Sequence, residues 1–144
     1  MNLNVIVVPT HICNLKCRYC YNEDERRPIM TRQTLDAITS SLIAYTKDIE
    51  QLAGVTFIWH GGEPTVAGLD FYRDAVALQE KYAQGMRITN LIQTNGLLLS
   101  NEWFSFLKKI TLDLACLLMV RNIYMTRIGE MQPGADRSTE PWLF

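Results

Sequence analysis

The period of the apolar positions changes repeatedly along the chain, and each change predicts an element. Leu3–Pro9 holds the unbroken run Val5-Ile6-Val7-Val8, the pattern of a short β-branched strand buried on both faces. Further on, Leu35, Ile38, Leu42, Tyr45 and Ile49 recur at steps of three and four, which puts them on one stripe of a helix that Thr31 can cap. Gly54 ends that pattern. Val55–Trp59 then reads as a second strand, Leu69–Tyr82 as a second amphipathic helix through Phe71, Ala75, Leu78 and Tyr82, and Ile88–Gln93 as a third strand. Ser100 can cap a third helix through Trp103, Phe104 and Leu107. Asn22–Met30, with Glu23, Asp24, Glu25, Arg26, Arg27 and Pro28, reads as a solvated connection.

Strand alternating with helix predicts an α/β fold whose strands run parallel and are joined by right-handed crossovers. The segments richest in cysteine, glycine and amide residues each follow the C-terminal end of a strand. In α/β barrels that rim holds the active site, so three loops are expected to converge on one mouth. Taken one at a time, their glycines also suit ordinary turns.

The first loop, Cys13-Asn14-Leu15-Lys16-Cys17-Arg18-Tyr19-Cys20, has CxxxCxxC spacing. Gaps of three and two residues can aim three thiolates at one face of an iron–sulfur cubane, leaving one iron free to bind something else. Zinc accepts the same thiolates, but a structural zinc site takes four ligands and only His11 is near enough to be the fourth. A disulfide cannot use all three, and no charged stretch followed by an apolar one suggests export, so a reducing cytoplasm is expected. The 144 residues suit one domain and 48% apolar content supports a core. A net charge of −1 gives no footprint for nucleic acid, and no apolar run reaches membrane-spanning length.

With the cysteine loop stand two further stretches, Trp59-His60-Gly61-Gly62-Glu63-Pro64 and Gln93-Thr94-Asn95-Gly96. Together, and in this order, they make the chain resemble the radical S-adenosylmethionine (radical SAM) enzymes, whose signature is CxxxCxφC with an aromatic residue, here Tyr19, before the last cysteine. The likeness is to anaerobic sulfatase maturases and related peptide-modifying members, which carry a second cysteine-rich domain called SPASM, and it runs from about Leu3 to about Lys109. It implies the N-terminal half of a partial (β/α)6 TIM-like barrel. It also implies that Cys13, Cys17 and Cys20 bind a 4Fe-4S cluster whose fourth iron chelates S-adenosylmethionine. One electron then cleaves the sulfonium, and the resulting 5′-deoxyadenosyl radical takes a hydrogen atom from a peptide or protein substrate such as a sulfatase. A flavodoxin or ferredoxin would supply the electron.

Within that resemblance, Gly61 and Gly62 suit close backbone approach to the methionine part of the cofactor, and Glu63 can accept from its ammonium group. Tyr19 would shield cluster and nucleotide, or else pack as core. Gln93, Thr94 and Asn95 are expected neighbours of cofactor or substrate. His60 could touch either, although a histidine at a strand end more often serves as a structural polar group. Tyr21 and Asn22 carry no transferable role, and no catalytic residue is assigned.

Residues 110–144 depart from the family: no Ser-x-Asp-Gly-Pro-like segment, arginine-bearing loop or auxiliary cysteines follow. A frameshift after residue 109 accounts for this, since in another frame Ala115–Arg121 can read Leu-Ser-Thr-Asp-Gly-Pro. Cys116 then reads as a small hydrophobe or a chance residue, not as a ligand. Two function classes follow: a radical SAM enzyme acting on a peptide or protein, or a remnant that binds a cluster or metal and turns nothing over.

Overall fold

The structure is a computed structural model that describes residues 1–17, 20–22 and 28–109. Tyr19, Cys116 and the expected tail 110–144 lie outside the described residues. Strand β1 (Asn2–Thr10) leads through the cysteine loop to helix α1 (Arg32–Lys47). Strand β2 (Gly54–Gly61), a short 3-10 turn (Pro64–Ala67), helix α2 (Leu69–Ala83), strand β3 (Arg87–Ile92) and helix α3 (Asn101–Lys109) follow. The strands form one parallel sheet in the order β1-β2-β3, with Val5 opposite Phe57 and Phe57 opposite Asn90. Parallel neighbours require a crossover between them, and α1 and α2 supply it.

Period-two alternation sends Val5, Val7, Val55, Phe57, Trp59, Ile88 and Ile92 to the helix-covered face, where they join Leu35, Ile43, Tyr72, Ala75, Leu78, Trp103 and Leu107 in one core. Trp59 sits at its middle, stacked on Phe57 and meeting Phe71 and Tyr72 edge-on. Two polar side chains enter this layer as a pair. Asn90 Oδ1 accepts from Trp59 Nε1 and from Gln79 Nε2, both at 2.9 Å, and Asn90 Nδ2 donates back to Gln79 Oε1 at 2.7 Å.

The opposite face explains one departure from expectation. β1 is not buried on both sides: Ile6 is 65% exposed, because the described helices cover only the face that Val5 and Val7 share. Helix α1 is also rotated from the stripe its apolar spacing suggests. Its buried positions are Leu35, Thr39, Ile43 and Thr46, while Tyr45 is exposed. A helix packed on both a sheet and a neighbouring helix buries a broad band; Thr46 tolerates it because its Oγ1 bonds back to the Leu42 carbonyl at 2.8 Å, whereas Thr39 Oγ1 is buried with no partner among the described residues. In α3, Trp103 and Leu107 are buried as expected, whereas Phe104 faces outward and Phe106 packs on the core instead.

Helix ends follow the expected chemistry. Thr31 Oγ1 accepts from the Thr34 N–H at 3.1 Å and Ser100 Oγ from that of Trp103 at 3.4 Å. Lys47, in the last turn of α1, donates to the Tyr82 carbonyl at 3.0 Å, pinning the C-terminal end of α1 to that of α2.

Candidate functional site

The three loops that follow β1, β2 and β3 meet at one end of the sheet, and backbone contacts decide how closely. The Gly62 N–H donates to the Thr10 carbonyl at 3.1 Å and the Glu63 N–H to the Ile12 carbonyl at 2.9 Å, so the second loop lies directly on the start of the cysteine loop. That approach excludes side chains. A Cβ on Gly62 would lie against the Ile12 carbonyl oxygen and 2.5 Å from that of His11. Gly61 has φ +123°, and a Cβ there would come within 2.6 Å of the Thr10 carbonyl oxygen. Gly61 is thus required by the end of β1 and Gly62 by the start of the cysteine loop.

Glu63 is 1% exposed and its carboxylate is a junction. Oε1 accepts from the Thr65 N–H at 3.0 Å, from the Thr65 hydroxyl, and from the Thr94 hydroxyl at 2.6 Å; Oε2 accepts from the Asn95 N–H at 2.7 Å. A buried carboxylate survives when donors replace its water, and here the donors come from the loops after β2 and β3. Asn95 extends the connection, donating from Nδ2 to Asn14 Oδ1 at 2.8 Å, beside Cys13. Gln93 belongs to the same rim through its N–H, which donates to the Trp59 carbonyl at 2.9 Å.

The cysteine loop is closed at its ends. His11 Nδ1 and Asn22 Oδ1 are 3.0 Å apart, and Asn22 Nδ2 donates to the His11 carbonyl. Leu15, 6% exposed, anchors the middle. Cys13 and Cys17 are half-buried and Cys20 is exposed. Backbone N–H groups point at two of the sulfurs: Leu15 N to Cys13 Sγ and Asn22 N to Cys20 Sγ, each at 3.4 Å. Among the described residues no three His, Cys, Asp or Glu side chains are already drawn together around one ion.

The donor set suits a soft, positively charged centre. Burial raises the Cys13 pKa above its ordinary 9.0, and the Glu63 carboxylate and the Cys17 and Cys20 thiols push it further in the same direction, against the Leu15 N–H. Negative charge crowded at one place is relieved by a metal cluster bound to the thiolates, and N–H groups aimed at sulfur stabilise the same state. The chemistry of three thiols on one loop, Cys13, Cys17 and Cys20, suits such a group, while their side chains are not drawn together around a common point.

His60 and Tyr21 meet at the mouth, with the Tyr21 hydroxyl 3.1 Å from His60 Nδ1 and their ring centroids 6.1 Å apart. The polar reading of His60 agrees with this bond. Asn14 and Thr65 were not legible as site residues. Thr65 follows Pro64 as an ordinary turn residue would, and Asn14 is separated from its partner by 81 positions.

Comparison with known proteins gives this geometry its family. Residues 7–117 match the model of the radical SAM superfamily, past the boundary expected at 109. A serine-type anaerobic sulfatase-maturating enzyme of Bacteroides thetaiotaomicron is 37% identical over 115 residues, covering 74% of this chain and 27% of the relative. Another of that description, from Klebsiella pneumoniae, is 42% identical over 110 residues, covering 67% of this chain and 27% of the relative. The chain therefore spans about a quarter of the length of these relatives. The solved structure of native anSMEcpe with bound AdoMet and Kp18Cys peptide is similar at a TM-score of 0.67 and 32% identity, over 76% of this chain and 30% of that one. The α/β unit described above corresponds to the N-terminal part of that fold, with the three parallel strands and their helices in common. A cysteine loop, a glycine pair and a buried glutamate locked together on one sheet rim, and a family match running through all of them, lead to one conclusion: the chain belongs to the radical SAM superfamily.

Proposed function

We propose that this chain carries the cofactor-binding part of an enzyme that modifies a peptide or protein residue by radical chemistry, in the manner of the anaerobic sulfatase maturases. The observation behind this reading is the hydrogen-bonded junction of the cysteine loop, Gly61–Glu63 and Thr94–Asn95 at the C-terminal ends of three adjacent parallel strands. Active sites of α/β barrels are built at that rim.

Cys13, Cys17 and Cys20 would hold a 4Fe-4S cluster, and S-adenosylmethionine would lie with its methionine end along Gly61, Gly62 and Glu63, with Tyr19, Gln93, Thr94 and Asn95 as neighbours. When bound, cluster and cofactor together supply one-electron cleavage of a carbon–sulfur bond and removal of a hydrogen atom from the substrate. The chain's own residues prepare the place. Leu15 and Asn22 direct N–H groups at sulfur and steady the thiolates. Half-burial of Cys13 and Cys17 limits water on that side. Glu63 Oε2 accepts one bond from Asn95, and a carboxylate oxygen can accept two, which leaves capacity for an ammonium group.

A peptide or protein, such as a sulfatase, is the substrate that this reading names. It is supported by the relatives described as sulfatase-maturating enzymes and by the similar structure that holds a peptide. The reductant would be a low-potential carrier such as flavodoxin or ferredoxin, and the compartment the cytoplasm; among the described residues no helix is long and apolar enough to cross a membrane.

The test is anaerobic. The chain is reconstituted with iron and sulfide, reduced with dithionite, given S-adenosylmethionine, and 5′-deoxyadenosine is quantified against a Cys17→Ala control. Product above the control is expected. A cluster without product would restrict the chain to binding, and failure to bind iron would overturn the reading.

A further inference from the structure

We propose that Asn95 is a positioning residue for the cysteine loop: its side-chain amide latches Asn14, next to Cys13, while its backbone N–H is held by the buried Glu63 carboxylate. This rests on the cluster-binding reading above and assigns Asn95 a task different from touching cofactor or substrate.

Donor and acceptor are determined by the surroundings. Asn95 Oδ1 accepts from the Leu97 N–H at 3.0 Å, so this end of the amide is the oxygen and the other the nitrogen. The nitrogen faces Asn14 at 2.8 Å, and Asn14 therefore presents its Oδ1. Asn95 is held on two further sides, by Glu63 Oε2 at 2.7 Å and by the turn that Gly96 N closes on Thr94 Oγ1 at 3.0 Å. With its backbone held by these bonds and its side-chain oxygen by the Leu97 N–H, the amide has little rotamer freedom left to lose, so it places its partner firmly.

The latch matters because of what it holds. Backbone contacts fix the start of the cysteine loop, through Ile12, and Asn22 closes on His11. Asn14 lies between these anchors and Cys17, and the amide bond from Asn95 ties it across the mouth to the loop after β3. Glu63, Asn95 and Asn14 thus form one path from the buried carboxylate to the residue beside the first cysteine.

The test is a double-mutant cycle of Asn14→Leu and Asn95→Ala in the full chain, read in two ways. Without iron, hydrogen exchange over residues 11–17 is expected to quicken about three- to tenfold in each single variant and, in the double, by less than the product of the two, because the Asn95–Asn14 bond they share is lost only once. After reconstitution, the electron paramagnetic resonance signal of the reduced cluster and its midpoint potential are expected to shift in each single variant and, in the double, by less than the sum of the two shifts. Additive effects, or unchanged exchange over residues 11–17 in both single variants, would overturn the latch. If the unaltered chain binds no iron, the cluster reading falls while the exchange data still decide the latch. Should Asn95→Ala fail to fold, Asn14→Leu with Asn95→Ser supplies the same cycle.

Discussion

The Glu63 carboxylate accepts the Thr94 hydroxyl at 2.6 Å from within a site that is 1% exposed, so the loops after β2 and β3 share a single buried anion. The two residues lie on neighbouring parallel strands' ends, where nothing in the ladder itself joins the loops. An ionised acceptor makes each of these bonds stronger than a neutral one and makes the loss of a donor or of the charge correspondingly costly.

Glu63→Gln is expected to lower stability by about 2–3 kcal/mol, because an amide can keep the threonine donors on its oxygen but then turns an NH2 toward the Asn95 N–H. Urea unfolding of the two chains checks this. A difference below about 0.5 kcal/mol would mean the carboxylate is not the junction described.

Gly62→Ala adds a methyl where the His11 carbonyl oxygen stands 2.5 Å away. Neither partner is a flexible side chain, so the cysteine loop must shift, at about 1–3 kcal/mol. Iron bound per chain after reconstitution should fall well below that of the unaltered protein. Equal loading would show that the loop tolerates displacement.

Alkaline pH should weaken the fold through Tyr72. Burial first, and the Glu63 carboxylate second, hold its pKa well above the ordinary 10.0, and its hydroxyl donates to the Pro64 carbonyl at 2.9 Å. A raised pKa means that the fold favours the neutral phenol, so this contribution is whole below pH 10 and lost as pH rises through the folded value. Cys13, raised above 9.0, has the same sign. Tyr72→Phe should cost about 1 kcal/mol at pH 7 and lessen the decline between pH 9 and 11. Parallel pH profiles for the two chains would refute the assignment.

Asn90→Ala strips the partner from Trp59 Nε1 and from the Gln79 amide, both within the helix-covered layer. A loss of about 2–3 kcal/mol is expected. Replacing Asn90 and Gln79 together by leucine should recover part of it, since only the indole N–H then lacks a partner. Denaturant midpoints of the two variants decide the matter, and a double variant no more stable than Asn90→Ala contradicts the pairing.

The order of strands and helices was legible because period two and period 3.6 are local properties, and the caps Thr31 and Ser100 were legible because capping reaches only three residues. The convergence of the three loops also followed from the sequence, since alternating elements force parallel strands whose C-terminal ends share one rim. The face each helix buries was less so: Leu35 and Ile43 belong to more than one possible stripe, and only packing against both sheet and α2 chose the one containing Thr39 and Thr46.

Sequence alone therefore determined the element order and the three candidate loops, the CxxxCxxC spacing of Cys13, Cys17 and Cys20 among them. Tertiary structure decided what the neighbouring residues do. Gly61 is demanded by the end of β1 and Gly62 by the start of the cysteine loop, Glu63 joins the loops after β2 and β3, and Asn95 reaches Asn14 across the mouth. The reason is physical: spacing along a chain encodes contacts three or four residues apart, whereas a hydrogen bond between residues 14 and 95 exists only after the sheet has brought two strand ends side by side.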